Sequence, residues 1–455
     1  MSSEKSTKLI GLNTATFLVI ANMIGTGVFT SLFFQVGAIH SGFALLMLWI
    51  FGGLAALCGS LVYSELATKF PRSGGEYNLL SEIYHPAIGF VSGWISITVG
   101  FAAPVAVNSM ILGEYVHGVL PEINPLKVGI VVVIVISIIH SVSVKFGSQF
   151  QNFFTILKLI LIFILIAGGF IMGNKEHYPI NFSGDALKDM LSTPYAISLI
   201  FVSYAFSGWN AAAYFASEIK NPQRNIPRAM VFGTLIVTVL YFLLNYTFLQ
   251  NIPFTEIGKP ANADTGLIAA INIFGKKMGT IYGMFFSLAL VASISSMIFA
   301  GPRVTQVMGE DYKFFSFAAI KNNAGAPYVA TLVQMTIALL LMLTSSYGDI
   351  FTYIGFTLSL ITLLTVFGIF VIRRRKLNET NNYKTWGYPV VPIVFIALAL
   401  WMIYFTIIGN PKVSLIGFAT ALSGLVFYYF SPKKKTFSSV KKEDEPTEER
   451  NFDRL

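Results

Sequence analysis

Along most of this chain, apolar runs of about 20 residues or more, long enough to cross a hydrocarbon layer about 30 Å thick, alternate with short polar loops. The runs predict twelve spans, at about 9–38, 42–68, 85–120, 127–144, 149–172, 192–219, 227–250, 278–308, 327–346, 349–372, 389–408 and 412–430. Backbone amides find no water inside lipid, and the runs are long and rich in Leu, Ile, Phe and Gly, so helices are the spanning element and a β-barrel is excluded. The predicted fold class is all-α integral membrane, with about 12 transmembrane helices in one domain over 1–430. The polar N-terminus leads into an apolar segment too long for a signal-peptide core, which reads as an uncleaved first span.

Charge gives the chain a direction. If the N-terminus starts in the cytoplasm, 23 of the 31 Lys and Arg residues fall inside, 7 fall outside and Lys158 lies within a span. That asymmetry follows the positive-inside rule and predicts both termini cytoplasmic. The net charge of +9 then reflects topology and contact with the bilayer's lipid headgroups, and needs no nucleic acid. Residues 431–455 mix Lys433–Lys435, Lys441 and Lys442 with Glu443, Asp444, Glu445, Glu448 and Glu449 and contain Pro446, which reads as a disordered cytoplasmic tail.

Composition agrees with a membrane class: 55% of the 455 residues are hydrophobic, 12% are charged and the mean hydropathy is +0.68. No soluble segment is large enough to hold an enzyme, and no His/Glu/Asp cluster or nucleophile motif is present. A channel would need a charged ring or carbonyl filter, and none is visible. His40, His85, His117, His140 and His177 have no ligand-like spacing, so no metal and no cofactor are expected. Cys58, the only cysteine, lies in an apolar run, so no disulfide-linked partner is expected. Short loops fit a bacterial inner membrane.

Two spans carry helix breakers at similar depth. The first reads Asn22-Met-Ile-Gly-Thr-Gly-Val-Phe29 and the sixth Tyr204-Ala-Phe-Ser-Gly-Trp-Asn210. Each glycine costs a helix interior about 1 kcal/mol and permits unwinding. A break at mid-membrane exposes amides at the start of one half-helix and carbonyls at the end of the other, a pairing suited to a zwitterion. Taken alone, Gly25 and Gly27 fit close helix packing as well. Two broken helices in corresponding positions point to a transporter built from inverted repeats, with 9–172 as one repeat, 192–372 as the other and 389–430 as two additional helices.

The chain resembles the amino acid–polyamine–organocation family over nearly its whole length. The resemblance is carried by Asn22–Phe29, by Ser64-Glu-Leu-Ala-Thr-Lys-Phe-Pro-Arg-Ser-Gly-Gly-Glu-Tyr77, by Ser217-Glu-Ile-Lys-Asn-Pro-Gln-Arg-Asn-Ile-Pro-Arg228 and by Gly301-Pro-Arg-Val304. Ser207-Gly-Trp-Asn210 is most similar to the L-type neutral amino acid transporters. The resemblance implies the inverted-repeat fold of the sodium-coupled leucine transporters and a secondary transporter working by alternating access. It puts the substrate carboxylate on Thr26 and Gly27, within the segment Met23, Ile24, Gly25, Thr26, Gly27. The ammonium falls near the carbonyls of Met23, Phe206 and Ser207, beside Gly208 and Asn210, with Tyr204 or Phe206 as an aromatic gate. Members that handle cationic substrates can carry a carboxylate just after the span-six glycine. Asn210 stands there, so the resemblance favours a neutral amino acid over a cationic one or a polyamine.

Lys158 falls about ten residues, or about 15 Å, into the fifth span, near the bilayer centre. An intramembrane charge is expensive and is a functional candidate by default. Its expected partners are carbonyls at the span-one break and Ser293, Ser295 or Ser296. A lysine at the matching place in relatives sits where sodium-coupled cousins bind sodium. This argues against sodium coupling and leaves a fixed cation bracing span one, or a proton carrier, so protons are a candidate co-substrate. Snorkelling along Gln151, Asn152 and Thr155 is the third reading. Glu65 and Glu218 are expected in ion pairs that lock the inner gate, and Glu114 faces the outer vestibule or solvent. The loop Phe70–Tyr77 reads as a turn with a helix start, and by resemblance as a gating loop. A sensor that binds an amino acid without moving it would carry the same sequence signs.

Overall fold

A computed structural model describes residues 10–434 of the chain, apart from 38, 174–179, 181, 183, 254–255, 257–264, 345–346, 377–382 and 410. The first span is two helices, α1 (Leu12–Met23) and α2 (Gly27–Val36), and the second is α3 (Gly42–Lys69). A short helix, α4 (Glu76–Ile83), precedes the third span, which starts as α5 (Pro86–Ile95) where its apolar run begins. It continues through a π-helical stretch, Ser96–Phe101, into α6 (Ala102–Val119). Pro86 opens α5 where no amide hydrogen is needed, and the His85 ring accepts from the Ala87 amide. Next come α7 (Pro125–Val142), whose start is capped by Asn124, and α8 (Val144–Met172), capped by Ser143.

A short α9 (Gly184–Met190) precedes the sixth span, which is α10 (Thr193–Ala205) followed, after a break, by a tight 3-10 stretch over Ala211–Glu218. Then follow α11 (Pro222–Asn251), α12 (Thr265–Phe274), α13 (Lys276–Asp311), α14 (Tyr328–Thr344), α15 (Tyr347–Arg374), α16 (Val390–Gly409) and α17 (Pro411–Phe430).

Among the described residues, nine helical segments are long and apolar enough to cross a membrane. They coincide with nine of the twelve expected spans. The sixth, ninth and twelfth fall on shorter apolar helices, at Thr193–Ala205, Tyr328–Thr344 and Ser414–Phe430. The short helices α9 and α12 were not anticipated, because their apolar stretches are below spanning length. The expected tail begins held rather than free: Lys434 donates its amide to Asp311 and its ammonium to the Gly309 carbonyl, and Lys433 pairs with Tyr312. The rest of the expected tail, 435–455, and Lys5, Lys8, Lys175, His177 and Lys259 lie outside the described residues.

The helices pack in matched sets. α1 lies on α11 as α10 lies on α3, α1 on α8 as α10 on α15, and α6 on α7 as α13 on α14. α3 meets α11, and α6 meets α13, across the middle. Large apolar side chains on α8, such as Phe153, Phe163 and Ile171, face outward, an arrangement that hydrocarbon tolerates and water does not.

Glycine sets the closest approach between halves. A Cβ at Gly53 of α3 would fall 2.3 Å from Thr238 Cγ2 on α11. Gly53→Val is therefore expected to destabilise the detergent-purified protein by about 1–3 kcal/mol through overpacking. The measurement is a thermal unfolding scan, with Leu54→Val on the exposed face of the same helix expected to leave the midpoint nearly unchanged.

Candidate functional site

Where α1 stops, its last carbonyls lose their helical partners. The Gly25 amide folds back to the Met23 carbonyl at 2.9 Å, and the helix restarts with the Phe29 amide on the Thr26 carbonyl. Side chains from distant helices take up what is left. Lys158 donates to the Ile24 carbonyl at 2.5 Å and to the Ala21 carbonyl at 3.5 Å, and also reaches Ser293 Oγ at 2.6 Å. Ser293 donates to the same Ile24 carbonyl at 2.6 Å. On the far side of the break the Thr26 amide donates to Asn108 Oδ1 at 3.3 Å, while the Thr26 hydroxyl, fully buried, has no hydrogen-bond partner among the described residues.

The second break is built differently. The Ser207 amide closes a turn on the Tyr204 carbonyl, and Gly208 then adopts φ +103°, a conformation that side chains rarely take. Gly208 also presses on span one: a Cβ there would lie 2.8 Å from Asn22 Cβ and backbone carbon. Gly27 meets α10 as closely, its notional Cβ 3.0 Å from Ala205 Cα. The two breaks are thus in contact. Tyr241 of α11 joins them, its hydroxyl 2.7 Å from the Met23 carbonyl and 2.9 Å from the Ala205 carbonyl. Trp49 and Phe206 pack edge-on or tilted around it and keep it dry.

A cavity of about 110 Å³ lies beside the contact. Tyr204, Phe206, Ser207, Gly208 and Asn210 line it, as does Asn22. Met23, Ile24, Gly25, Thr26 and Gly27 do not; they lie behind it, engaged with Lys158, Tyr241, Asn108 and Ala205. Of the three serines expected near Lys158, only Ser293 meets it. Ser295 pairs with His140 Nε2 at 2.7 Å, and Ser296 donates to the Ser293 carbonyl at 2.8 Å. Three serines so close on one helix cannot all face one point, since each residue turns the side chain by about 100°. Lys158 is 1% exposed and does not snorkel. Gln151 and Thr155 bond to each other, and Asn152 reaches Thr14.

Sequence reasoning missed Tyr241 and Asn108, which look like any polar residue in an apolar helix, and it passed over Glu76. Glu76, the first residue of α4, is buried on the cavity wall. Its Oε1 accepts from Tyr63 at 3.0 Å and from Asn210 Nδ2. The preceding loop is pinned to the far half of span six, with the Gly74 amide on the Tyr214 carbonyl and the Gly75 amide on the Ala213 carbonyl. The signal available was Gly74-Gly75-Glu76 itself, a hinge that can fold a charge inward.

Towards one end of the bundle, carboxylates and cations meet across helices. Glu65 pairs with Arg373 at 2.7 Å and accepts the Thr385 amide, and Glu218 pairs with Arg303 at 2.9 Å. Arg72 pairs with Asp311 at 2.9 Å and Glu310 at 3.2 Å. Burial alone would lower the Arg72 guanidinium, yet the hydrogen bond and charge of Asp311, with Glu310, hold it above its ordinary value. Glu114 is exposed.

The sequence matches the amino acid permease family over residues 10–430. It is 28% identical over 438 residues to a serine/threonine exchanger of Bacillus subtilis, covering 94% of this chain and 98% of that protein. It is 27% identical over 443 residues to the human b(0,+)-type amino acid transporter 1, covering 93% and 87%. The human large neutral amino acids transporter small subunit 2 is 27% identical over 454 residues, covering 95% and 82%.

Tyr241→Phe removes the donor shared by both breaks. Losing one net hydrogen bond is expected to speed amide hydrogen exchange at 23–27 and 204–208 by about two- to tenfold. Mass-spectrometric exchange checks this, with the amides of α14 as the unaffected control.

Proposed function

This chain belongs to the amino acid permease family and is a secondary transporter of amino acids rather than an enzyme, and from that premise we propose that it exchanges neutral amino acids across the cell membrane by alternating access. The observation that carries this reading is the contact of two broken helices, Gly208 against Asn22, on the wall of a cavity. Ser207, Gly208 and Asn210 on the cavity wall would hold the substrate's polar groups, the backbone of segment 23–27 would join them once the two breaks part, and Tyr204 or Phe206 would close over the substrate. The carbonyls and amides of the breaks provide both signs of partial charge without any ion. No bond is made or broken in the substrate; closure is stabilised by whatever it binds better in the closed state than in the open one.

Substrate class is supported by relatives whose names specify serine and threonine or large neutral amino acids. Exchange is supported by the state of Lys158. Its ammonium has the Ile24 and Ala21 carbonyls and Ser293 as acceptors, so it serves as a fixed cation that braces span one. The matched packing of α1–α8 with α10–α15 supports the inverted-repeat reading, with α16 and α17 as additions. The gathering of Arg72, Arg303 and Arg373 with their acidic partners supports a common, cytoplasmic side for the loops that bear them, and with it cytoplasmic termini in a bacterial inner membrane. Their ion pairs would hold the inner gate shut until loading. Cys58, buried in α3, is unsuited to joining a partner subunit, so the carrier works without a disulfide-linked one.

Purified protein in liposomes tests this. Radiolabelled serine, threonine and leucine are expected to enter only vesicles preloaded with a neutral amino acid, with no dependence on a proton gradient. Uptake into empty vesicles driven by inward protons would overturn exchange, and binding without movement under any condition would make the protein a sensor. Lys158→Ala is expected to slow exchange by about tenfold or more, the loss of charge-assisted hydrogen bonds, while the pH profile keeps its shape. A changed profile would return Lys158 to the role of proton carrier.

A further inference from the structure

Glu310 and Asp311 close the last turn of α13, where a helix presents unpaired carbonyls and the negative end of its dipole. Acids are disfavoured there unless cations come to them. For the side chains the cation is Arg72, from the loop before α4, at 2.9 Å from Asp311 and 3.2 Å from Glu310, and the Tyr77 hydroxyl also donates to Asp311. The backbone is served from the other end of the chain. Past α17, residues 431–434 run back along the end of α13 as a two-bond antiparallel ladder. The Lys434 amide donates to the Asp311 carbonyl at 2.7 Å, and the Lys313 amide to the Pro432 carbonyl at 3.2 Å. The Lys434 ammonium donates to the Gly309 carbonyl at 2.6 Å. One residue thus brings both a backbone donor and a positive charge to the helix end.

This short segment hangs from a firm anchor. Phe427 of α17 stacks on Trp94 of α5 with ring centroids 4.4 Å apart, and Trp94 donates to Ser423 at 3.0 Å. Tyr312, directly after Asp311, packs edge-on against Phe90 of α5 at 4.9 Å and Tyr428 of α17 at 6.1 Å. Asp311 is therefore gripped twice, by its carboxylate from the loop and by its carbonyl from the segment after α17. The second grip decides where the first can act, because a frayed last turn would let the carboxylate swing away from Arg72.

We propose that residues 431–434 are a strap that holds the inner gate closed by fixing Asp311 in place for Arg72, so that the segment after α17 sets how readily the carrier opens to the cytoplasm. That role rests on the reading of the Arg72 pair as part of the gate. It also gives α17, which stands outside the matched sets of helices, a part in the transport cycle. Arg303 is less dependent on such a strap, since Phe299 holds it too, with its carbonyl and with its ring at 3.8 Å.

The test is alkylation of a cysteine placed on the cavity wall, Ser359→Cys in a Cys58→Ala background of the full chain, by a charged maleimide reaching the cytoplasmic face of inverted membrane vesicles. Arg72→Ala is expected to speed labelling by about two- to tenfold, and Lys434→Pro, which removes both the amide and the ammonium, by a similar factor. In the double variant the two factors should not multiply, because both changes break the same contact. Multiplied factors would put the action of 431–434 elsewhere and overturn the strap. So would unchanged or slower labelling in Lys434→Pro beside faster labelling in Arg72→Ala, which leaves the gate standing. Unchanged labelling in Arg72→Ala removes the gate reading and the strap with it. If Lys434→Pro does not fold, Lys434→Ala keeps the amide and loses only the ammonium; about two- to fivefold faster labelling, again not multiplied by Arg72→Ala, is then the expected result, and unchanged labelling overturns the strap.

Discussion

A membrane interior leaves no backbone hydrogen bond to be finished by water, and the architecture around the two breaks follows from that constraint. Where α1 ends at Met23, three carbonyls and an amide lose the ladder that serves the rest of the helix. Each is met by a side chain brought from elsewhere: Lys158 and Ser293 for Ile24, Lys158 also for Ala21, Tyr241 for Met23, Asn108 for Thr26. These come from α8, α13, α11 and α6, so the break gathers those helices around itself. Mutating Lys158 or Asn108 strips a buried polar group of its side-chain donor or acceptor, a loss that lipid-facing neighbours do not incur.

What could be read beforehand divides along the same line. Spans were legible because apolar runs of that length have one economical conformation in lipid, and the breaks were legible because glycine announces them at Gly25, Gly27 and Gly208. Lys158 was legible because a charge in hydrocarbon demands an explanation. Its actual partner was not, since Ser293, Ser295 and Ser296 differ only in helical phase, and phase against a distant neighbour is a tertiary property. Tyr241 and Asn108 carry no local signal. Glu76 was hidden by position: an acidic residue opening a helix reads as solvent-facing, and only the turn at Gly74 and Gly75 carries it inside. The short helix α4 was missed for the same reason, because it begins in that polar loop.

Charge is arranged in two tiers. At one end Arg72, Arg303 and Arg373 neutralise acidic groups from other helices, so those bridges hold only while the helices stay together. Deeper in, Lys158 is balanced by dipoles and Glu76 by neutral donors. The outer tier can open to water at modest cost, because water replaces each lost partner. The inner tier has no such substitute, and changes there must be matched by a ligand or another side chain.

The Tyr241 hydroxyl owns a single hydrogen and faces two oxygens, those of Met23 and Ala205. Met23 has a second donor in the Gly25 amide, so turning the hydroxyl to Ala205 leaves neither oxygen bare, while turning it to Met23 does. One hydrogen thus ties the end of α10 to the end of α1. Any rocking of span one against span six has to stretch that tie before anything else at the centre can move.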